Sequence, residues 1–447
     1  MLPSSRLRRS VRLAGVRLSA VTLASAALLL LLVAFSAFLL SAVGGLRETG
    51  TYASTRRNVA GTGDIFIFDT AAAWRSLRVP KCDIEDSTSE AMLIKGLAAR
   101  RYSHYSSHHS LDQHASAWYL GQALRSSPHV THDLEAAASV FVDLTCYFNM
   151  YWWSRYLPPE ERAMLAPDPW VVFLQVMQNI PEVVPVDKAV IFLPVPWNAG
   201  CDTVPWLASA VTVAVESLAS CAPPERTIIA PYNSNLDAPR AVNFANRATL
   251  LTYIGGAAAE DARSAGEQLR YHVAKQLQGQ AGVFVQVACL GCAGAMDHKE
   301  VVRQYQSSVF CLVPPGDTPS SRRATEVIVH GCLPVFLGSP FNNQPLSSVV
   351  DFSEFSLVVR VSDISDWVRT PDHTWQVQHW VPDSTPTHLI RALDELVPTI
   401  RSVPSARVRR MQEALERARS AFLYKTVLDP EDPSAVDLIL QRVRAVR

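Results

Sequence analysis

The stretch Phe310-Cys-Leu-Val-Pro-Pro-Gly-Asp-Thr-Pro-Ser-Ser-Arg-Arg-Ala-Thr-Glu-Val-Ile-Val-His-Gly-Cys-Leu-Pro-Val-Phe-Leu-Gly338 reads as strand, polar turn, helix, glycine turn, strand. The turn from Gly316 to Ser321 is built of small residues, so a ligand can approach its backbone closely. Ser320 and Ser321 are both placed to cap the helix, whose first-turn N–H groups then make a phosphate-sized anion site. Arg322 and Arg323 add fixed positive charge and planar donors that match a diphosphate. Glu326 lies one turn further along, placed to accept hydrogen bonds from a ribose diol. Gly331 stands where a helix C-terminus takes its left-handed residue. An ordinary capped strand–helix–strand unit fits the same pattern.

Working outward, residues 64–69 are apolar between two acids and open the folded part as a strand. Strands are expected at 140–144, 189–194 and 227–230, with helices at 111–124 and 204–218. A second run starts with a strand at 249–254, closed by Gly255 and Gly256. It continues with helix 262–278, strand 283–287, helix 300–308, strand 309–313, helix 323–330 and strands 333–337 and 356–360. An amphipathic helix at 405–423 follows, with Ser405 after Pro404 as its cap. Strands alternating with helices at this spacing predict parallel sheets covered on both faces. The two runs meet near 231–248, which holds Asn233, Asn235 and Pro239 and lacks a long apolar run. The predicted fold class is therefore α/β, with two Rossmann-like doubly wound domains facing a cleft, the GT-B arrangement, and ligands at the carboxyl ends of the strands.

The amino terminus carries Arg6, Arg8, Arg9, Arg12 and Arg17 and no acid, and the 29 residues 18–46 carry no charge. As a helix they span about 43 Å at 1.5 Å per residue, enough to cross a hydrocarbon core of about 30 Å. The run is longer than a cleavable signal peptide needs. Flanking arginines hold the first residues in the cytosol and place the body in the lumen. The expected layout is a cytosolic tail at 1–17, a signal anchor at 18–46, a stem at 47–63, an acceptor-side domain at 64–240, a donor-side domain at 241–425 and a tail or helix at 426–447.

Forty-one basic residues balance forty-one acidic ones, which argues against a nucleic-acid binder. Eight cysteines suit an oxidising lumen, without assigning a pairing. Cys289 and Cys292 form a lone Cys-x-x-Cys, where a disulfide or two buried thiols fit better than zinc, which needs about four ligands. His104, His108, His109 and His114 lie among serines and read as a polar loop or acceptor-side surface. No metal site, Asp-x-Asp motif or N-glycosylation sequon is expected or found in the sequence. The arginines between Arg407 and Arg419, with Glu413 and Glu416 among them, read as a solvated helix face.

The segment 310–338 resembles the hallmark of the exostosin-like glycosyltransferases, of the form FCL-P-G-(D/x)-T-x-S-R-(x)-(D/E)-A-I-GC-(I/V)-PV. Flanking pieces are similar in the same order: 64–69 resembles the family's opening strand, 133–142 its "DPEEADLFFVP" segment, 247–256 its "R..LLFFAG" strand and 346–367 its tail. The resemblance implies a type II Golgi membrane protein of GT-B fold. It implies transfer of a hexose or pentose, with inversion and without a metal or other cofactor, from a nucleotide-sugar donor, UDP-sugar first. The acceptor would be a polysaccharide or glycoprotein glycan, and a hetero- or homo-oligomer with other glycosyltransferases is open. The donor would bind the carboxyl-terminal half through Gly316, Ser320, Ser321, Arg322, Arg323 and Glu326.

The family often carries Gly-Arg-Asp-His after "WNR". Here the corresponding stretch is Trp197-Asn-Ala-Gly-Cys-Asp202-Thr203, in which the Arg and the His are not matched. Inverting transfer needs a base for the acceptor hydroxyl, and Asp202 is the candidate; a turn residue capping a following helix is the other reading. Two alternatives stay open beside the enzyme: a non-catalytic partner in a Golgi glycosylation complex, and a membrane-anchored lectin.

Overall fold

The computed structural model describes residues 12–13, 16–17, 64–82, 116–154, 160, 163, 167–193, 203–215, 223–234, 238–239, 241–256, 265–288, 296, 298–316, 321–338, 344–361, 388–425 and 431–447. The expected anchor at 18–46 and stem at 47–63 lie outside them. Among the described residues no helix is long and apolar enough to cross a membrane. In the unit 1–59, residues 12–13 pair with 16–17 as a minimal antiparallel ladder. Everything below concerns the unit 60–447.

Two six-stranded parallel sheets form this unit. The first holds β1 (Ile65–Asp69), β2 (Val130–Thr131), β3 (Ser139–Asp143), β4 (Ala189–Leu193), β5 (Val211–Ala214) and β6 (Thr227–Ile229), in the order β2-β1-β3-β4-β5-β6. The second holds β7 (Thr249–Gly256), β8 (Val283–Ala288), β9 (Ser308–Val313), β10 (Leu333–Leu337), β11 (Leu357–Val361) and β12 (His388–Ile390), in the order β8-β7-β9-β10-β11-β12. Each sheet thus runs 2-1-3-4-5-6. Each reverses strand order between its first and third strands, as a GT-B-like pair of α/β domains does.

The apolar runs become two-faced strands because side chains alternate at period two. In β3 and β4, Val140, Val142, Ala189, Ile191 and Leu193 enter one core, and Phe141, Val190 and Phe192 enter the other. Helices α2 (Thr145–Ser154) and α3 (Pro169–Asn179) flank the first of these cores. Helix α3 starts on a legible signal: Asp168 accepts from the Trp170 N–H at 2.7 Å, and Pro169 stands at N1. The opposite core is closed by α1 (Ser116–Arg125) and by the last helix of the chain.

The helix expected over 204–218 is absent from its described part, 204–215. Residues Pro205–Ala208 make one 3-10 turn, and Val211–Ala214 form a strand registered between β4 and β6. Its four residues are buried on both faces, and an apolar run of this length has no period to separate the two choices. The β-branched Val211, Thr212 and Val213 suit the pleat, and pairing on both sides decides it. Ser405 is also corrected. It is the first residue of α8 (Ser405–Ala418), Pro404 holds the cap position, and no side chain caps that end.

In the second half, α4 (Ala265–Leu277), α5 (His298–Gln306), α6 (Arg322–Val329) and α7 (Leu396–Arg401) accompany the sheet. Gly331 follows α6 with φ of +73°, the left-handed conformation that ends a helix. An added Cβ there would lie 2.3 Å from Val242. The last helix, α9 (Ala435–Val446), opens with a capping box of Ser434 and Asp437. It buries Val436, Ile439, Leu440 and Val443 against the first sheet rather than the second. Each such side chain is worth about 1.5–3 kcal/mol. Arg444 holds Asp64 at 3.0 Å, and this hydrogen bond keeps the Asp64 carboxyl below the usual range. Strand β1 and helix α9 thus meet on the same sheet. Leu346 N–H donates to Ile229 O at 2.7 Å and Tyr424 Oη to Pro231 O at 2.7 Å, tying the halves together.

Candidate functional site

The strand order of the second sheet puts its switch point between β7 and β9, where the strands' carboxyl ends leave a crevice open to a ligand. Two backbone segments meet there, Ile254-Gly255-Gly256 at the end of β7 and Pro314-Pro315-Gly316 after β9. Arg270, buried on α4, braces them: its Nε donates to Gly256 O at 3.0 Å and its Nη1 to Pro315 O at 2.9 Å. Gly266, one turn earlier, lets α4 press onto the second segment. A Cβ on it would stand 1.8 Å from Gly316 O.

Helix α6 delivers the charged residues. Ser321 caps it, accepting from the Arg323 N–H at 3.3 Å. Its first turn carries two arginines and no acid. That is the wrong sign for a helix N-terminus, where the macrodipole already supplies about half a positive charge. A helix selected for stability would place Asp or Glu there; this one concentrates positive charge beside first-turn N–H groups, at the cost of its own stability.

The two arginines sit differently. Arg323 is folded back onto β7: Nε donates to Ile254 O at 2.5 Å, and the guanidinium lies 5.3 Å from the Tyr253 ring centroid. It fills the space that Gly255 leaves, since a Cβ on that glycine would be 1.9 Å from Nη2. Tyr253 Oη donates to Gly256 O at 3.2 Å, closing the same corner. Arg322 instead pairs with Glu326, Nε to Oε1 at 2.8 Å, with side chains 27% and 11% exposed. Burial raises the hydroxyl pKa of Tyr305, the Glu326 carboxylate adds to that, and Arg323 opposes it. Burial likewise raises Tyr253 against the pull of Arg323 and Arg270. Among the described residues no group of three His, Cys, Asp or Glu side chains is placed to hold a metal ion.

Of the residues singled out in the sequence, Gly316, Ser321, Arg322, Arg323 and Glu326 come together here; Ser320 and Asp202 lie outside the described residues, as do Cys289, Cys292 and the histidines 104–114. Gly255, Gly266 and Arg270 had not been assigned to the site. The first is in the glycine pair that ends β7, which is a readable signal. Arg270 sits in an ordinary charged helix pattern, and only the tertiary structure turns it inward.

Replacing Gly255 by Ala is expected to evict the Arg323 guanidinium. The neighbour is the end of a flexible side chain, so the fold survives, but the bond to Ile254 O is lost. A hydrogen bond to a charged group is worth about 1.5–3 kcal/mol, and a lowered melting temperature that corresponds to such a loss of stability in the Gly255→Ala chain is the check. An unchanged melt would show that Arg323 does not depend on that gap.

A family model for the exostosin GT47 domain matches residues 207–373, which include all of the switch-point geometry. Over these residues the chain is similar to the exostosin-like glycosyltransferases. It is 29% identical over 123 residues to the probable xyloglucan galactosyltransferase GT13 of Arabidopsis thaliana, covering 27% of this chain and 25% of that one. It is 22% identical over 218 residues to the probable xyloglucan galactosyltransferase GT15, covering 46% and 40%. It is 25% identical over 138 residues to the probable arabinosyltransferase ARAD1, covering 31% and 29%. The chain thus matches between a quarter and two fifths of the length of these exostosin-like relatives.

Proposed function

We propose that this exostosin-like chain is a glycosyltransferase that takes a hexose or pentose from a nucleoside diphosphate sugar, UDP-linked first, and passes it to a polysaccharide or glycoprotein glycan. The observation that carries the reading is the amino terminus of α6. Two arginines stand on the positive end of a capped helix, at the sheet's switch point, beside glycine-lined backbone. Charge of that sign and placement stabilises a departing diphosphate. The relatives' names, galactosyl- and arabinosyltransferase, support a hexose or pentose donor.

In the proposed reaction the acceptor hydroxyl attacks the anomeric carbon from the face opposite the diphosphate, so the centre inverts. A base removes the hydroxyl proton, with Asp202 as the candidate, and the nucleoside diphosphate leaves onto Arg322 and the α6 N–H groups. Those groups take the place of a metal ion in this scheme. Residues 18–46 anchor the protein in the Golgi membrane with its body in the lumen, the donor-side domain spanning 241–425. Partner glycosyltransferases are compatible with this layout.

The test is the melting temperature of the full-length chain in detergent against UDP- and GDP-sugars. A donor at about one hundred times its dissociation constant stabilises by about 2.7 kcal/mol. A shift with one nucleotide class, lost in Arg322→Ala, is the expected result. A cooperative melt that no nucleotide moves would favour the non-catalytic partner, the reading to which the unmatched Arg and His around Asp202 also belong.

A further inference from the structure

Arg419 is buried and makes contacts that the donor-site reading does not use. It opens the 3-10 turn Arg419–Phe422 that follows α8. Its Nε donates to Val329 O at 3.1 Å, its Nη2 to Pro239 O at 2.5 Å and its Nη1 to Glu416 Oε1 at 2.7 Å. Val329 is the last residue of α6, and its carbonyl is one of those that a helix end leaves to outside partners. A cation there also suits the negative end of the macrodipole. Pro239 lies on the first crossing between the halves, which runs from β6 to β7. The second crossing, from the 3-10 turn to α9, comes close as well. Asp432 on it is held below the usual carboxyl range first by a hydrogen bond from Lys425 and then by Ser420, and it also feels the Arg419 charge. A packing contact secures the same corner: Gly331, just past α6, leaves room for Val242 on the first crossing, where a Cβ would lie 2.3 Å from Cγ1.

We infer that Arg419 is a positioning residue: by pinning the carboxyl end of α6 to the crossing at Pro239, it fixes where the proposed donor site stands relative to the acceptor-side half. The inference rests on the donor-site reading above, in which the amino end of α6 takes the diphosphate. Helix α6 has eight residues, about 12 Å at 1.5 Å per residue, and acts as a short strut between that site and the crossing. The groups that would grip a nucleotide, on α6 and at the ends of β7 and β9, all belong to one half, so nucleotide binding does not need the pin. Transfer does need it, because it joins a donor held by one half to an acceptor hydroxyl held by the other, and a misplacement of about 1 Å costs about a hundredfold in rate. Lysine cannot take over. The planar guanidinium reaches two carbonyls and a carboxylate along fixed directions, whereas an ammonium on a flexible stem is a point charge without that fork.

The test uses the full-length chain in detergent with Arg419→Lys and Val242→Ala, the second of which loosens the same corner without touching a buried charge. Spin labels on unnatural amino acids at the exposed positions Glu182 and Arg410, one on each half, report the distance between the halves by electron resonance. Arg419→Lys is expected to shift and broaden that distance distribution, and Val242→Ala to do so less. An unchanged distribution in a cooperatively melting Arg419→Lys chain overturns the inference. Isothermal titration with UDP and GDP is expected to give unchanged dissociation constants in both variants. Initial rates with a UDP- or GDP-sugar and a mixed library of polysaccharide and glycoprotein oligosaccharides are expected to show an unchanged donor KM and, in Arg419→Lys, a kcat lowered at least about tenfold. An arginine that only stabilises the fold would lower the titration stoichiometry and leave kcat per nucleotide-binding chain unchanged, and that result overturns the inference. So does a loss of affinity as large as the loss in kcat, which would place Arg419 in the service of the donor site alone. If the unmodified chain binds neither UDP nor GDP, the donor-site reading falls, and the distance measurement, which needs neither donor nor acceptor, still decides whether Arg419 sets the placement of the halves.

Discussion

Opening both disulfides is expected to remove about 7 kcal/mol of stability and to unfold the chain near body temperature. Cys82 is bonded to Cys146 across 64 residues, and Cys311 to Cys332 across 21. Loop-closure entropy in the unfolded chain sets their worth at about 4 and about 3 kcal/mol. Whole proteins are stable by only about 5–15 kcal/mol. Neither bridge is an ornament on a surface loop. Cys82 and Cys146 lie in the core beneath the first sheet, where Tyr147 Oη also donates to Pro80 O at 3.1 Å. Cys311 is in the middle of β9 and Cys332 precedes β10, both essentially fully buried. The smaller loop encloses Gly316, all of α6 and Gly331, so it is the covalent frame of the proposed donor site. Melting curves of the full-length chain with and without reductant, beside Cys82→Ala/Cys146→Ala and Cys311→Ala/Cys332→Ala, separate the two contributions. The second pair should lose nucleotide binding at temperatures where its sheets are still folded. A melt insensitive to reductant, and matched by both double variants, would contradict this account.

A single methyl group at Gly266 should do comparable damage to the site. In an exposed helix, Ala in place of Gly stabilises by about 1 kcal/mol, so propensity alone predicts a gain. Here the added Cβ would be 1.8 Å from Gly316 O and 3.0 Å from its carbonyl carbon. That neighbour is backbone and cannot rotate away like a side chain. The residue before it is held, since Pro315 O accepts from Arg270 Nη1, and Arg270 rides on the same helix as Gly266. Either α4 or the Pro314–Gly316 segment must retreat by an ångström or more. Overpacking of this kind costs about 1–3 kcal/mol. The segment that moves borders the proposed diphosphate site, where a displacement of that size costs about a hundredfold in function. Isothermal titration with the preferred nucleotide and a thermal melt of Gly266→Ala read the two effects separately. Full affinity with a raised melting temperature would mean that the helix start is not packed on the loop.

How far the sequence reaches is clearest at α6. Its cap, its two arginines, Glu326 and the terminating Gly331 were all readable, because each depends on residues within one or two turns of its neighbours. The strands β1, β3, β4, β6, β7, β8, β9, β10 and β11 were readable for a similar reason: a parallel strand of a covered sheet is a short apolar run between breakers. The helix expected over 204–218 was a misreading because the extended form of Val211–Ala214 depends on β4 and β6 pairing on either side, and no local pattern carries that information. Asp168-Pro169 at the start of α3 was a local signal left unused.

The sequence by itself determined that this chain is α/β, that its strand–helix repeat occurs twice, and that one helix amino terminus bears misplaced positive charge. These follow from periodicity, capping and charge within a few residues. Only the tertiary structure decided the strand order that puts the crevice between β7 and β9, the pairing of four cysteines, the return of α9 to the first sheet, and the turn of Arg270 and Arg323 onto backbone carbonyls. Those features join residues tens to hundreds of positions apart, so they are set by which surfaces pack and which buried polar groups must be satisfied, rather than by any local run of the chain.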